Sequence, residues 1–207
     1  CIPAPIPSSH KTSVMRSRLT AIAVCLWAAG LAAGFAAWMD YDTTPGQSAL
    51  ATASVQEANW VQNSPRYRLV MFAHPHCPCT QASLTELERI AAEFQVASTM
   101  VYFCKPSDAS GEEWEPTNVS VRMADLAKWD DGCKEAKRAG ATTSGHLLLF
   151  HPDGTLLFSG GITRARGYAG ESVGSEAVRS RLLGQTRELK NSPVFGCPLY
   201  DPQNSDS

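Results

Sequence analysis

The most conspicuous hydrophobic pattern in the chain is an uninterrupted apolar run from Leu19 to Met39, which contains no charged residue. A helix rises about 1.5 Å per residue, so this run is long enough to cross a hydrocarbon core of about 30 Å. Basic residues precede it and acidic residues follow it: Lys11, Arg16, Arg18, Asp40 and Asp42. The positive-inside rule then places the N-terminus in the cytoplasm and the rest of the chain outside. A cleaved signal peptide is the alternative, but the length of the run favours an uncleaved anchor.

Changes in composition divide the chain into five segments. Residues 1–18 are the predicted cytoplasmic segment, of which 1–14 precede a more natural start at Met15, and residues 19–39 are the predicted transmembrane anchor. Residues 40–64 are small, polar and aperiodic, which is typical of a linker. Residues 65–190 form the predicted folded domain, and residues 191–207 a C-terminal tail with Pro and Cys197.

Within the folded domain, apolar runs alternate with helical patterns. Tyr67–Ala73 and Ser98–Cys104 are predicted strands, and the segment 78–95 is a predicted helix with apolar residues at three- and four-residue steps. Glu86 is expected to point away from the core face of that helix. Weaker helical periodicity covers 119–129 and 133–139.

A hairpin and a last helix complete the pattern. The strands 146–150 and 155–159 flank a His-Pro-Asp-Gly turn, and residues 175–189 are a predicted helix. Strands and helices in this order predict an α/β fold with a mixed sheet.

Charge and cysteine content narrow the function classes. The 207 residues carry a net charge of −2, which argues against a protein that binds nucleic-acid phosphates. Seven cysteines are too few for a disulfide-stapled miniature scaffold, and their odd number leaves at least one thiol unpaired within the chain.

The candidate chemistry lies in the turn His74-Pro-His-Cys-Pro-Cys-Thr80, between the first strand and the first helix. Cys77 would sit at the helix N-terminus, where free N–H groups and the helix dipole favour a thiolate and lower its pKa. Pro78 suits the first helical position. Cys77 is therefore the predicted nucleophile.

Two residues close to Cys77 in the sequence are candidates for its partner. The residue three positions on is Thr80, whose hydroxyl could donate a hydrogen bond to the thiolate or to a peroxide oxygen. Cys79 lies roughly 200° around the helix from Cys77, so a bridge between them would distort the first turn, although Cys79 could still act as a resolving thiol. The alternative is that Cys77 and Cys79 are inert packing residues.

A metal site is a second interpretation of the same turn. His74, His76, Cys77 and Cys79 offer two imidazoles and two thiols, and His146 could approach from a facing strand. Such ligands suit Cu(I) or Zn. Against this, His74 could simply cap the end of the strand, and His76 could tune Cys77 electrostatically.

The remaining cysteines lie elsewhere along the chain. Cys25 falls in the apolar run and is expected to be a small apolar residue, and Cys104 is expected to be buried. Cys133 and Cys197 lie in polar stretches and could bridge each other or resolve Cys77.

The turn at Cys77, the Thr143-Ser-Gly-His146 segment and the run from His151 to Gly167 together resemble the thioredoxin-like superfamily. More narrowly they are similar to the bacterial membrane-anchored RedB proteins, some of which carry selenocysteine at the nucleophile position. The resemblance implies that Cys77 is catalytic and that Thr80 takes the place of the usual second cysteine. It also implies substrate binding by Ser144, Gly145 and His146, with Gly145 where thioredoxins place a cis-proline.

These observations predict a bacterial, single-pass inner-membrane protein with a thioredoxin-like domain in the periplasm. Its expected activity is thiol–disulfide exchange or peroxide reduction by Cys77, without a cofactor. The expected partners are the membrane and a thiol, disulfide or peroxide substrate, but no nucleic acid. The alternative function is a copper chaperone, since some extracytoplasmic thioredoxin-fold proteins have that role.

Overall fold

The computed structural model describes residues 10–47, 65–95, 97–107, 114, 126–185 and 189–201. The chain forms two compact units, Cys1–Tyr41 and Asp42–Ser207.

A long apolar helix, α1 (His10–Thr43), dominates the first unit. Its segment Met15–Thr43 has a mean hydropathy of 2.0 and buries none of its apolar window within the protein. Leu19 and Trp27 are 60% and 68% exposed, as expected of side chains that face lipid rather than a protein core. The helix is consistent with membrane anchoring, and a signal sequence near an N-terminus has the same properties.

The described part of the second unit contains a six-stranded mixed sheet in the order β3-β2-β1-β4-β5-β6. The strands are β1 (Tyr67–Ala73), β2 (Ala97–Lys105), β3 (Ala127–Asp131), β4 (His146–Phe150), β5 (Leu156–Gly160) and β6 (Asn191–Ser192). Strand β1 is parallel to β2 and antiparallel to β4, and β4 and β5 form an antiparallel hairpin.

Helices cover both faces of the sheet. Helices α2 (Pro78–Glu93) and α4 (Val173–Leu182) share a core with Leu69 and Met71, whereas α3 (Lys134–Ala139) packs on the opposite face with Val70 and Phe72. Because β1 is buried on both faces from Leu69 to Ala73, that part of the strand is a continuous apolar run rather than an alternating one.

The arrangement is a thioredoxin-like fold, which confirms the predicted fold class. A parallel β1-α2-β2 unit is joined through β4 to an antiparallel hairpin that precedes α4. The junction of β1 and α2 lies at the carboxyl end of the central strand, where α/β folds place their ligands.

Two local predictions were wrong. Residues 127–129, predicted as helical, belong to β3, where pairing with β2 and contact between Trp129 and Phe103 override a weak helical pattern. Glu86 does not point away from the core. It is 1% exposed and pairs with Arg179 of α4 at 2.9 Å, so a long-range ion pair keeps this carboxylate inside.

The predicted helix at 175–189 is shorter in the structure, since α4 ends at Leu182 and residues 186–188 lie outside the described part. Weak helicity predicted for 119–125 also falls outside it.

The described part of the predicted tail is joined to the domain. Strand β6 pairs in parallel with β5, and Val194 and Leu199 are fully buried. Residues 42–47, assigned from sequence to the linker, also contact the domain, since the Gly46 N–H donates to the Val194 carbonyl at 2.8 Å.

Candidate functional site

Cys77 occupies the N-cap of α2, at the end of the turn that follows β1. Its backbone is extended (φ −71°, ψ 122°), and Pro78 takes the first helical position. The Cys77 carbonyl accepts a hydrogen bond from the Thr80 N–H at 3.0 Å, across the turn that opens α2. The structure therefore places this thiol where the sequence predicts, beside the unpaired N–H groups of a helix N-terminus.

The sulfur of Cys77 faces a residue 120 positions later in the chain. Its Sγ lies 2.7 Å from the Sγ of Cys197. Unbonded carbon atoms in proteins pack at about 3.5–4.0 Å, and sulfur is a larger atom. The two side chains are therefore positioned for a disulfide bond rather than as two independent thiols.

The C-terminal segment (residues 194–201) holds Cys197 in place through backbone pairing. The Ser144 N–H donates to the Cys197 carbonyl, and the Leu199 N–H donates to the Thr142 carbonyl, both at 2.8 Å. Thr143 and Pro198 form an antiparallel bridge between these two bonds. The segment thus adds a short strand beside the loop that leads into β4.

Two further residues fix the approach of this segment. A Cβ on Gly196 would collide with the Ser144 carbonyl, so only glycine permits this close contact. The Arg166 guanidinium donates to the Gly196 carbonyl from the loop after β5. No local sequence pattern links either residue to Cys77, since both contacts join segments that are distant along the chain.

The thiols of Cys77, Cys79 and Cys197 interact and have different acidities. Hydrogen bonds from Cys197 and then Cys79 lower the pKa of Cys77, helped by the backbone N–H groups of Cys197 and Thr80, and these effects outweigh burial. Cys197 keeps its proton to form the hydrogen bonds with Cys77 and Cys79. These bonds raise the pKa of Cys197, as does burial. Cys77 is therefore the thiolate and Cys197 the proton donor of the pair.

Cys79 lies in the first turn of α2 and is 8% exposed. Its hydrogen bond with Cys197 lowers its pKa, but the hydrogen bond with Cys77, burial and the charge of Cys77 outweigh that effect and raise the pKa overall. Cys79 is thus a protonated neighbour of the pair at neutral pH.

The Thr80 hydroxyl belongs to a closed ring of hydrogen bonds. The His74 N–H donates to Ser144 Oγ at 2.9 Å, Ser144 and Thr80 share a 2.6 Å bond, and Thr80 Oγ1 donates to the His74 carbonyl at 2.9 Å. The single hydroxyl proton of Thr80 is therefore directed to a carbonyl. Of the two donors on Thr80, the backbone N–H is the one that lowers the pKa of Cys77.

Gly145 and His146 follow Ser144 into β4. Gly145 has φ +89°, and a Cβ there would lie 2.6 Å from the Ser83 hydroxyl of α2, so glycine allows both the backbone turn and the close contact with the helix. The His146 ring is 1% exposed and shares a 2.8 Å hydrogen bond with Ser159 of β5. Burial lowers the pKa of His146 to about 4, which keeps the ring neutral at pH 7.

The histidines of the turn have other partners. His74 Nδ1 accepts a hydrogen bond from the His76 N–H at 3.1 Å, and the His74 ring contacts Trp114. Across the described ranges, no group of three or more His, Cys, Asp or Glu side chains is arranged to hold a metal ion.

Cys104 and Cys133 form a disulfide with a Cα–Cα distance of 4.8 Å. Both residues are at most 1% exposed, and the bond joins the end of β2 to the start of α3. The expectation that Cys133 could bridge Cys197 or resolve Cys77 is therefore wrong, because Cys133 is already paired with Cys104. Cys25 lies exposed on α1 and is a free thiol.

Comparison with solved structures shows similarity of fold. The chain is similar to an uncharacterized conserved protein from Geobacillus kaustophilus (22% identity, TM-score 0.55, covering 77% of this chain and 94% of that one). It is also similar to a hypothetical protein from Sinorhizobium meliloti 1021 (21% identity, TM-score 0.54, covering 76% and 93%). A more distant match is the exposed lipoprotein thioredoxin of Streptococcus pneumoniae strain TIGR4 (13% identity, TM-score 0.40, covering 67% and 98%). No protein-family profile matches the chain, and no curated protein matches it.

Proposed function

We propose that this chain is a thiol redox protein in which Cys77 is the nucleophile and Cys197 its disulfide partner. The carrying observation is the 2.7 Å separation of the two sulfurs at the N-terminus of α2. A helix N-cap favours the thiolate at Cys77, and the neighbouring thiol supplies the second sulfur that a dithiol cycle needs. Cys197 thus replaces the cysteine that is missing at Thr80.

The proposed exchange with a disulfide has two steps. The Cys77 thiolate attacks one substrate sulfur, the substrate S–S bond breaks, and the other sulfur leaves as a thiolate. Cys197, after losing its proton, then attacks Cys77 Sγ, which releases the second substrate thiolate and forms the Cys77–Cys197 disulfide. The substrate disulfide is reduced by two electrons, and the protein thiols are oxidised by two.

Peroxide reduction would give the same product. The Cys77 thiolate attacks a peroxide oxygen, an alcohol or water leaves, and Cys77 becomes a sulfenic acid. Condensation with the Cys197 thiol releases water and forms the same disulfide. The geometry of the two sulfurs serves both reactions, so the substrate must be identified by assay.

The proposed location follows from α1. We place the chain in a bacterial inner membrane as a single-pass protein with the redox domain in the periplasm. The apolar helix and the basic residues that precede it support this placement. The Cys77 turn, with Thr80 in place of the second cysteine, supports grouping the chain with RedB-like proteins.

The test uses the full chain in detergent micelles. After oxidation, acid quenching and blocking with N-ethylmaleimide, peptide mass spectrometry should find Cys77 linked to Cys197. Turnover with oxidised glutathione or hydrogen peroxide, with dithiothreitol as electron donor, should disappear in Cys77→Ser. Cys25→Ser is the matched control and should retain wild-type turnover. Full turnover of Cys77→Ser with both substrates would refute the proposed function.

A further inference from the structure

The two sulfurs of the proposed pair differ in their access to solvent. Cys77 is 5% exposed, whereas Cys197 is partly exposed. Pro198, directly after Cys197, is exposed as well. An external thiol that approaches the folded domain therefore meets the Cys197 side of the pair.

A cavity borders the backbone of the C-terminal segment on either side of Cys197. It has a volume of about 370 Å³, and Gly196 and Pro198, the two neighbours of Cys197, both line it. Thr143 and Arg166 line it from the loops that hold the C-terminal segment, whereas neither Cys197 itself nor the Cys77 turn lines it. The cavity gives a reductant room beside the backbone next to Cys197, and the partly exposed Cys197 side chain is reached from solvent.

The backbone pairing keeps this arrangement in either redox state. The bonds from Ser144 to the Cys197 carbonyl and from Leu199 to the Thr142 carbonyl do not depend on the sulfur chemistry. Leu199 is fully buried and anchors the segment beyond the cysteine. Cys197 thus stays at the surface of the site, where it is the more exposed residue of the pair.

The chemistry of exchange favours the same direction. A thiolate attacks one sulfur of a disulfide and expels the other, and the thiol with the lower pKa leaves faster. The backbone N–H groups of Cys197 and Thr80 and the N-terminus of α2 stabilise the Cys77 thiolate even when Cys197 carries the reductant, so Cys77 is the better leaving group of the two. Attack on the more exposed sulfur, that of Cys197, therefore also expels the more stable thiolate, that of Cys77.

We infer that electrons enter the oxidised protein at Cys197, by direct attack of an external thiol reductant on its sulfur. This inference rests on the proposed function, because it requires the Cys77–Cys197 disulfide. It assigns the two sulfurs separate partners: Cys77 reacts with the oxidised substrate, and Cys197 reacts with the electron donor.

The steps balance as thiol exchange. The reductant thiolate bonds to Cys197 Sγ, the Cys77–Cys197 bond breaks, and its electron pair stays on Cys77 as a thiolate. A second reductant thiol then attacks the reductant sulfur of the mixed disulfide, which releases Cys197, and Cys197 takes up a proton. The reductant becomes a disulfide, and the protein regains two reduced cysteines.

The test maps the first mixed disulfide. The oxidised full chain carrying Cys79→Ser, with other free thiols blocked by N-ethylmaleimide, is exposed briefly to glutathione. The reaction is quenched at pH 5 with fresh isotope-labelled N-ethylmaleimide, which alkylates a low-pKa thiolate before other thiols. Peptide mass spectrometry should find glutathione on Cys197 and the labelled maleimide on Cys77.

Several outcomes overturn the inference. Glutathione on Cys77 with label on Cys197 reverses the direction, and an oxidised pair that glutathione and dithiothreitol do not reduce rules out attack at Cys197. A chain in which oxidation never links Cys77 to Cys197 refutes the proposed function itself, and mapping the disulfide before glutathione is added separates that case.

A parallel experiment replaces glutathione with a reduced redox protein of the dithiol type, whose resolving cysteine is replaced by serine so that the mixed disulfide is trapped. A faster adduct on Cys197 there than with glutathione identifies a protein donor, and an adduct on Cys77 counts against the inference.

Discussion

The Cys77–Cys197 pair has a consequence for stability that needs no substrate to measure. A disulfide between residues 120 positions apart closes a long loop in the unfolded chain. Loop-closure entropy for about 100 residues is worth about 4.7 kcal/mol at 25 °C, and measured effects usually fall lower. The Cys104–Cys133 bond, with a separation of 29, lies inside this loop and shortens it only slightly on a logarithmic scale.

We therefore expect Cys197→Ser to lower the free energy of unfolding by about 3–5 kcal/mol relative to the oxidised wild-type chain. For a domain of this size, that corresponds to a fall in Tm of roughly 6–20 °C. The assay is guanidinium and thermal unfolding of the full chain in micelles, followed by near-UV circular dichroism, which reports packing of the folded domain.

Two controls make the result specific. Cys79→Ser removes a buried thiol beside the pair but leaves the loop closed, so its stability should stay within about 1 kcal/mol of the oxidised wild type. Wild-type protein reduced under native conditions should match Cys197→Ser, provided that mass spectrometry shows the buried Cys104–Cys133 bond intact. A Cys197→Ser chain as stable as the oxidised wild type would refute the disulfide and the reasoning from loop length.

Three further predictions follow from the same contacts. Alkylation of Cys77 in the reduced chain should remain fast at pH 5. Cys197→Ala should shift the pH profile of this alkylation upward, since the Cys197 thiol is the main group that lowers the pKa of Cys77. An unchanged profile would contradict this role of Cys197. As pH falls from 6.5 to 4, the wild type should lose about 3 kcal/mol of stability, because the unfolded chain protonates His146 before the folded chain does. Urea unfolding of His146→Gln across that range should show a smaller slope, and an equal slope would argue against burial of the ring. Arg179→Met should cost about 2 kcal/mol in urea unfolding, since it leaves the buried Glu86 carboxylate with only the more exposed Arg89 and the Gly170 N–H as partners. A second change, Glu86→Met, should recover most of the loss, and a double variant no more stable than the single one would contradict the ion-pair explanation.

The sequence by itself determined the elements whose signals are local. Burial on both faces makes Leu69–Ala73 of β1 an unbroken apolar run, and the Pro78 start and three- and four-residue apolar spacing mark α2. These two elements place Cys77 at a helix N-terminus, so the candidate nucleophile was predictable from residues 67–95 alone. The apolar helix α1 was predictable for the same reason, since length and hydropathy are properties of a single segment.

Only the tertiary structure decided the partners. Cys197 reaches Cys77 because Gly196 fits against the Ser144 backbone and Leu199 is buried below it, and no local pattern in the tail encodes those contacts. Pairing of Cys133 with Cys104 likewise depends on β2 and β3 lying side by side. Local spacing specifies helices and strands, but sulfur pairing depends on the positions of atoms that are distant in sequence.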